Sequence, residues 1–150
     1  MKAGDIAEEF TAVDQKGDKV TLTGLLADGP VVLFFYPKAM TSGCTKESCH
    51  FRDLGAEFAE LGAQRVGISA DKVDKQAAFD EKHGLGYPLL SDPDRVVASA
   101  FGVKRPGPIM NKRATFVIDT DRKVLAAISS ELNMDMHADE ALGVLRAARG

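Results

Sequence analysis

Pro30-Val31-Val32-Leu33-Phe34-Phe35-Tyr36-Pro37 runs directly into Lys38-Ala39-Met40-Thr41-Ser42-Gly43-Cys44-Thr45-Lys46-Glu47-Ser48-Cys49. The first part is almost continuously apolar and rich in β-branched and aromatic side chains. That pattern belongs to a central strand buried on both faces. Pro37 ends the strand, because its ring removes a ladder donor. A short polar loop with a Gly follows, and then a helix begins close to Cys44. A cysteine at that place meets free backbone N–H groups and the positive end of the helix dipole, both of which favour the thiolate.

The neighbouring segments extend this strand–loop–helix unit. Thr45 to Leu61 reads as one long helix, with Phe51, Leu54, Phe58 and Leu61 on a core-facing stripe. Arg65 to Ser69 is a second strand, Asp71 to His83 a helix closed by Gly84, and Tyr87 to Leu90 a short strand. Ser91-Asp92-Pro93 starts a helix over Asp94 to Phe101. Lys104 to Asn111 is a Pro/Gly loop, Ala114 to Ile118 and Val124 to Ser129 form strands around a polar turn, and Asp135 to Ala148 is the last helix. Before all of these, Phe10 to Val13 and Val20 to Leu22 flank a Gly turn and read as a hairpin, with a short helix over Thr23 to Ala27. Strands alternating with helices, then a terminal hairpin and helix, give an α/β architecture with a mixed central sheet flanked by helices. A thioredoxin-like fold with an N-terminal hairpin extension fits that order. No repeat, low-complexity tract or linker interrupts it, so residues 1–150 read as a single domain.

Composition narrows the function classes. The chain has 150 residues, of which 45% are hydrophobic and 27% charged, with net charge −3. That is enough apolar material for one core, with no basic block for nucleic acid or an anionic membrane surface. The longest apolar stretch is far short of a bilayer span, and Met1-Lys2-Ala3-Gly4-Asp5 lacks the apolar run of a signal peptide. The reading is a cytoplasmic protein with neither nucleic acid nor membrane as partner. In a reducing compartment, two cysteines neither form a lasting structural bridge nor complete a four-ligand zinc site. Redox catalysis is the leading use for them, set against the blander reading of two inert buried thiols.

Four positions and one spacing then sharpen the picture. Pro37, Thr41 and Cys44 match the Pro-x-x-x-Thr-x-x-Cys pattern of the peroxiredoxins. Glu47 falls where many of them carry a Glu that holds the active-site Arg. Lys112-Arg113-Ala114-Thr115-Phe116-Val117-Ile118-Asp119 resembles the segment in which that Arg precedes a core strand. Cys49, five positions after Cys44, is similar to the bacterioferritin comigratory protein group, also called peroxiredoxin Q. The resemblance runs from Gly4 to the last helix. It departs from the family's Asp-Asp-Thr-Pro-Gly-Cys loop at Ala39, Met40 and Ser42.

The resemblance implies a thiol peroxidase without a cofactor or a metal. In it Cys44 is the peroxidatic thiolate. Arg113 lowers its pKa and binds the peroxide, Thr41 aligns thiolate or peroxide through its hydroxyl, and Pro37 shields the pocket. Attack on the peroxide leaves a sulfenic acid on Cys44, which Cys49 resolves as a disulfide. Five residues of α-helix place two Cα atoms about 8.6 Å apart, and a disulfide needs less than about 7 Å. The helix start must therefore unwind for the bond to form. Thioredoxin or a similar dithiol reductant is implied as partner beside the peroxide. A monomer suffices, since no partner cysteine is needed, and a dimer is compatible.

Competing readings are weaker. A thiol–disulfide oxidoreductase would prefer Cys-x-x-Cys. A redox sensor would use the same sulfenic acid. Thr41, Arg113 and Pro37, each taken alone, would read as a turn residue, a surface cation and a strand stop. Lys38, Lys46 and Arg105 are alternative cations for the site. His50, His83 and His137 read as ordinary; His50 and Cys49, adjacent on a helix, face different directions. Met40, Met134 and Met136 read as loop residues or gap-fillers.

Overall fold

The computed structural model describes residues 1–149, and the apolar run Val31 to Phe35 forms an inner strand of its sheet. Strand β3 (Val31–Phe35) is fully buried, and its side chains alternate between two apolar clusters. Val31, Leu33 and Phe35 enter one cluster; Val32, Phe34 and the following Tyr36 enter the other. That is the period of two expected of a strand covered on both faces.

β3 pairs in parallel with β4 (Gln64–Ser69) and antiparallel with β6 (Ala114–Ile118). β4 pairs in parallel with β5 (Leu89–Ser91), and β6 pairs antiparallel with β7 (Val124–Ser129). The hairpin β1 (Thr11–Val13) and β2 (Lys19–Thr21) joins the same sheet through Val13 opposite Ser91. The order β2-β1-β5-β4-β3-β6-β7 is a seven-stranded mixed sheet, and the fold is thioredoxin-like with its hairpin extension at one edge.

Helices cover both faces. Helix α1 (Leu22–Leu26), capped by the Thr21 hydroxyl, buries Leu22 and Leu26 in the first cluster. Helix α5 (Val96–Ala100) adds Val97 and Ala98 there. Helix α2 (Ser42–Asp53), α3 (Gly55–Glu60), α4 (Val73–His83) and α6 (Met134–Arg149) lie on the other face. Their Phe51, Phe58, Phe79, Ala138, Ala141, Leu142 and Leu145 fill the second cluster. Among the described residues no helix is long and apolar enough to cross a membrane.

The helix expected over Thr45 to Leu61 is two helices. α2 starts earlier, at Ser42, and stops at Asp53; α3 follows after Leu54. The cause is Arg65 on β4. Its Nη1 donates to the Phe51 carbonyl at 3.0 Å and approaches that of Arg52 at 3.4 Å. In a continuous helix those carbonyls would accept the N–H groups of Gly55 and Ala56. Gly55, a poor helix former, sits at the break, and a Cβ there would come within 3.1 Å of Arg65 Nη1. A charged donor thus takes over the ladder where the backbone is least committed to it. Helix α5 is also shorter than expected, because Arg95 adopts a left-handed φ of 56° and the Asp92 carboxylate caps Val97 and Ala98 instead.

Candidate active site

α2 begins where β3 ends, so the loop from Pro37 to Thr41 hangs over the edge of the sheet's central strand. The loop is fastened by the Ala39 N–H, which donates to Asp71 Oδ2 at 2.7 Å. Thr41 is the helix N-cap by backbone, and its carbonyl accepts the Thr45 N–H at 2.9 Å. Its hydroxyl donates to the Lys38 carbonyl at 2.7 Å and makes no capping bond. In this arrangement the Thr41 hydroxyl is committed to the loop and not to Cys44. Pro37 is half-buried beside fully buried Tyr36.

Cys44 lies in the first turn of α2 and is fully buried. Arg113, one residue before β6, reaches it across the sheet, with Nη2 3.4 Å from the sulfur. Through Nη1 the same guanidinium donates to Glu47 Oε1 at 2.7 Å. Glu47 stands one helical turn after Cys44 and is fully buried too. The site therefore consists of one cation between two potential anions, with only 5% of Arg113 exposed. Burial acts to lower the Arg113 pKa, but the Glu47 and Cys44 charges outweigh it and leave the guanidinium still harder to deprotonate. Burial pushes the Glu47 carboxyl up to about 7, against the pull of Arg113.

Gly43 leaves room for this closeness. A Cβ on it would sit 3.1 Å from Met134 Cε and 3.3 Å from Arg113 Nη2. The backbone of Arg113 is set by Glu131, whose Oε1 accepts its N–H at 3.1 Å and also receives Arg105 Nη2 at 2.6 Å. Arg105, an alternative cation on sequence grounds, is thus paired elsewhere, and Lys38 and Lys46 are exposed.

Behind Glu47 stands His137, fully buried on α6. Its Nε2 lies 2.8 Å from the Ser130 carbonyl, which can only accept, so that nitrogen carries the hydrogen. Its Nδ1 lies 2.7 Å from Thr115 Oγ1 and accepts from that hydroxyl. Burial holds the ring's pKa below the ordinary value, so it is neutral. Nδ1 is 3.6 Å from Glu47 Oε2, beyond hydrogen-bond reach, and Oε2 has no hydrogen-bond partner.

Sequence reasoning missed His137, Thr115, Met134, Glu131 and Asp71 as neighbours of the site. Only His137 carried a usable signal. It shares a helical stripe with Met134, Ala138, Ala141, Leu142 and Leu145, which marks it as core-facing. His50, by contrast, pairs with Asp139 at 2.8 Å on the surface.

Cys49 is half-buried at the margin of the second cluster, on the same unbroken helix as Cys44. Both are free thiols. The helix between them is continuous, so their Cα atoms are about 8.6 Å apart by helix geometry. The arrangement offers a buried thiol beside a guanidinium, with a second thiol near, but not within, bonding distance.

Comparison with known proteins places this site in context. The AhpC/TSA family matches residues 3–127. A putative peroxiredoxin of Mycobacterium tuberculosis is 62% identical, covering 99% of each chain. Peroxiredoxin Bcp of Escherichia coli is 40% identical over 97% of this chain and 96% of its own. The crystal structure of peroxidoxin BcpB from Mycobacterium tuberculosis superposes with a TM-score of 0.97 at 61% identity, covering 100% of this chain and 99% of that one.

Proposed function

The chain belongs to the AhpC/TSA family, within its Bcp and peroxiredoxin Q group of thiol peroxidases, and from that premise we propose that Cys44 is the peroxidatic residue and Cys49 the resolving one. The substrates are hydrogen peroxide and organic hydroperoxides. The observation that carries the assignment is the Arg113 guanidinium placed 3.4 Å from Cys44 Sγ and 2.7 Å from Glu47 Oε1 in a buried site.

The Cys44 thiolate attacks one peroxide oxygen. An S–O bond forms, the O–O bond breaks, and the leaving oxygen departs as water or an alcohol once protonated. Cys44 is left as a sulfenic acid. Arg113 offers a permanent charge and a planar set of donors to the oxygens on which charge develops. Thr41 assists by turning its hydroxyl from Lys38 toward the reacting atoms, and Pro37 limits water. The start of α2 then unwinds, Cys49 Sγ displaces the sulfenic oxygen as water, and an intramolecular disulfide forms. Thioredoxin or a similar dithiol reduces it, completing an atypical two-cysteine cycle.

Stopped-flow peroxide consumption, with and without a thioredoxin system, tests this. Multiple turnovers with the reductant and their loss in Cys44→Ser are expected. Undiminished turnover in Cys44→Ser would overturn the assignment.

A further inference from the structure

The loop between β3 and α2 is tied to the core by polar groups outside the cluster around Arg113. Tyr36, just past β3, Ser69, at the end of β4, and Gln76, on α4, are all fully buried. The Tyr36 hydroxyl bonds to Gln76 Oε1. Gln76 Nε2 lies 2.8 Å from the Leu90 carbonyl and 3.0 Å from Ser69 Oγ. Ser69 Oγ lies 2.7 Å from Asp71 Oδ2, and that same carboxylate oxygen accepts the Ala39 N–H at 2.7 Å.

One contact fixes the sense of the others. The Leu90 carbonyl can only accept, so the amide nitrogen of Gln76 faces it and the amide oxygen faces Tyr36. Tyr36 therefore donates. Ser69 Oγ accepts from Gln76 and, at 3.3 Å, from the Asp71 N–H, which leaves its own hydrogen for Asp71 Oδ2. The Asp71 carboxylate is thus held in place from the core side and aimed at one loop donor, in a charge-assisted bond.

That donor matters because of the peptide it belongs to. The Ala39 N–H and the Lys38 carbonyl are the two ends of one planar trans peptide and point in opposite directions. The carbonyl end accepts the Thr41 hydroxyl at 2.7 Å. Asp71 on one side and Thr41 on the other therefore grip the same rigid group. Ala39 is only 1% exposed, so water is a poor substitute for Asp71. The next residue, Met40, is held at a φ of 70°, a conformation that an untied loop would tend to leave.

Resting on the roles proposed for Cys44 and Thr41, we propose that Asp71 is a positioning residue for the peroxide step. It sets the plane of the Lys38–Ala39 peptide, and that plane sets where the Thr41 hydroxyl stands before it turns to the reacting atoms. Asp71 works through Thr41 and not on the reacting atoms themselves. Ser69, Gln76 and Tyr36 support the carboxylate in this role.

A double-mutant cycle on the full-length reduced chain tests this. The second-order rate of Cys44 oxidation by hydrogen peroxide is measured in the parent, Asp71→Ala, Thr41→Val and the double variant. The Thr41 hydroxyl makes no capping bond, so Thr41→Val removes no cap from α2. Asp71→Ala should slow the step by about tenfold. Asp71→Asn, which keeps an oxygen for the Ala39 N–H, should recover most of the rate. In the Thr41→Val background, Asp71→Ala should change the rate by less than about twofold, because the residue through which it acts is already gone. Should Asp71→Ala not fold, the cycle is run with Asp71→Asn, whose smaller loss must likewise vanish with Thr41→Val. The Cys44 titration, read by thiolate absorbance, should be the same in Asp71→Ala as in the parent. A parent-like rate in Asp71→Ala, an equal slowing in both backgrounds, or a shifted titration that accounts for the slower rate would each overturn the proposal. A parent protein whose Cys44 is not oxidised by peroxide at all would overturn the peroxidase reading and the positioning role with it, a signature distinct from the other three.

Discussion

Phe34 of β3 lies flat on Phe51 of α2, with ring centroids 4.1 Å apart and planes 8° from parallel. This stack ties the helix that carries both cysteines to the central strand, and it does so beyond Cys49. Arg65 adds its hold on the Phe51 and Arg52 carbonyls at the same end. The other end of α2 begins with Thr41 and Ser42, which are exposed. The helix is thus anchored at its C-terminal part, beyond both cysteines, while the proposed disulfide requires its start to open.

Replacing Phe51 by Ala should be costly. The ring is fully buried, stacks on Phe34 and lies 5.9 Å from the Phe58 centroid, so its loss leaves a cavity in a rigid aromatic cluster. A loss of roughly 3–5 kcal/mol is expected. Denaturant unfolding of the reduced protein measures it. A change below about 1 kcal/mol would mean that the cluster collapses around the vacancy.

Arg113 supplies charge and directed donors together. Arg113→Ala should raise the Cys44 titration and slow the peroxide step by about a hundredfold or more, beyond what the change in thiolate fraction explains. Arg113→Lys restores a charge without the planar pair of donors, so the rate should return only in part. Thiolate absorbance and second-order peroxide rates, measured side by side, separate the two contributions. An unchanged rate in Arg113→Ala would move the role to Lys38, Lys46 or Arg105.

Without Cys49 the proposed cycle stalls after its first half. Cys49→Ser should consume one equivalent of peroxide, halt at the sulfenic acid, and pass to sulfinic acid more readily than the parent. Mass spectrometry of the oxidised parent should find Cys44 joined to Cys49 within one chain. If every disulfide recovered joins two chains, the intramolecular route is wrong.

Met40 occupies a backbone conformation that suits other residues better. Its φ is 70°, and its side chain is partly exposed at the loop tip. A non-glycine side chain in that region costs roughly 1–2 kcal/mol, less for Asn, which favours it. Met40→Gly or Met40→Asn should therefore stabilise the reduced protein by about 0.5–1 kcal/mol. A higher thermal midpoint in both variants is the expected reading, and a lower one in both would mean that the Met40 side chain contributes packing that outweighs the strain.

Much of this protein is legible in its linear order. The run Val31 to Tyr36 announces a doubly covered strand because no face of it is polar, and Cys44 follows that strand at a helix start. Pro37, Thr41, Cys44, Glu47 and Arg113 stand out by motif, and periodicity locates the sheet's strands and most helices. The break at Leu54 does not appear in that pattern, since Phe51, Leu54, Phe58 and Leu61 keep a helical spacing across it. It depends on Arg65, which arrives on β4 and captures two carbonyls. The orientation of the Thr41 hydroxyl toward Lys38, the screen of Met134 against Gly43, and the engagement of both His137 nitrogens likewise come only from packing.

The division has one physical cause. Burial patterns and helix starts are properties of neighbouring residues, so sequence alone determined the central strand, the helix dipole at Cys44 and the chemical kinds of side chain available. Which carboxyl oxygen lacks a donor, and which cation faces which sulfur, depends on side chains 69 positions apart meeting across a sheet, as Arg113 and Cys44 do. Only the tertiary structure decided those contacts, because antiparallel pairing of β3 with β6 sets the Arg113 end of one strand beside the loop that leaves the other.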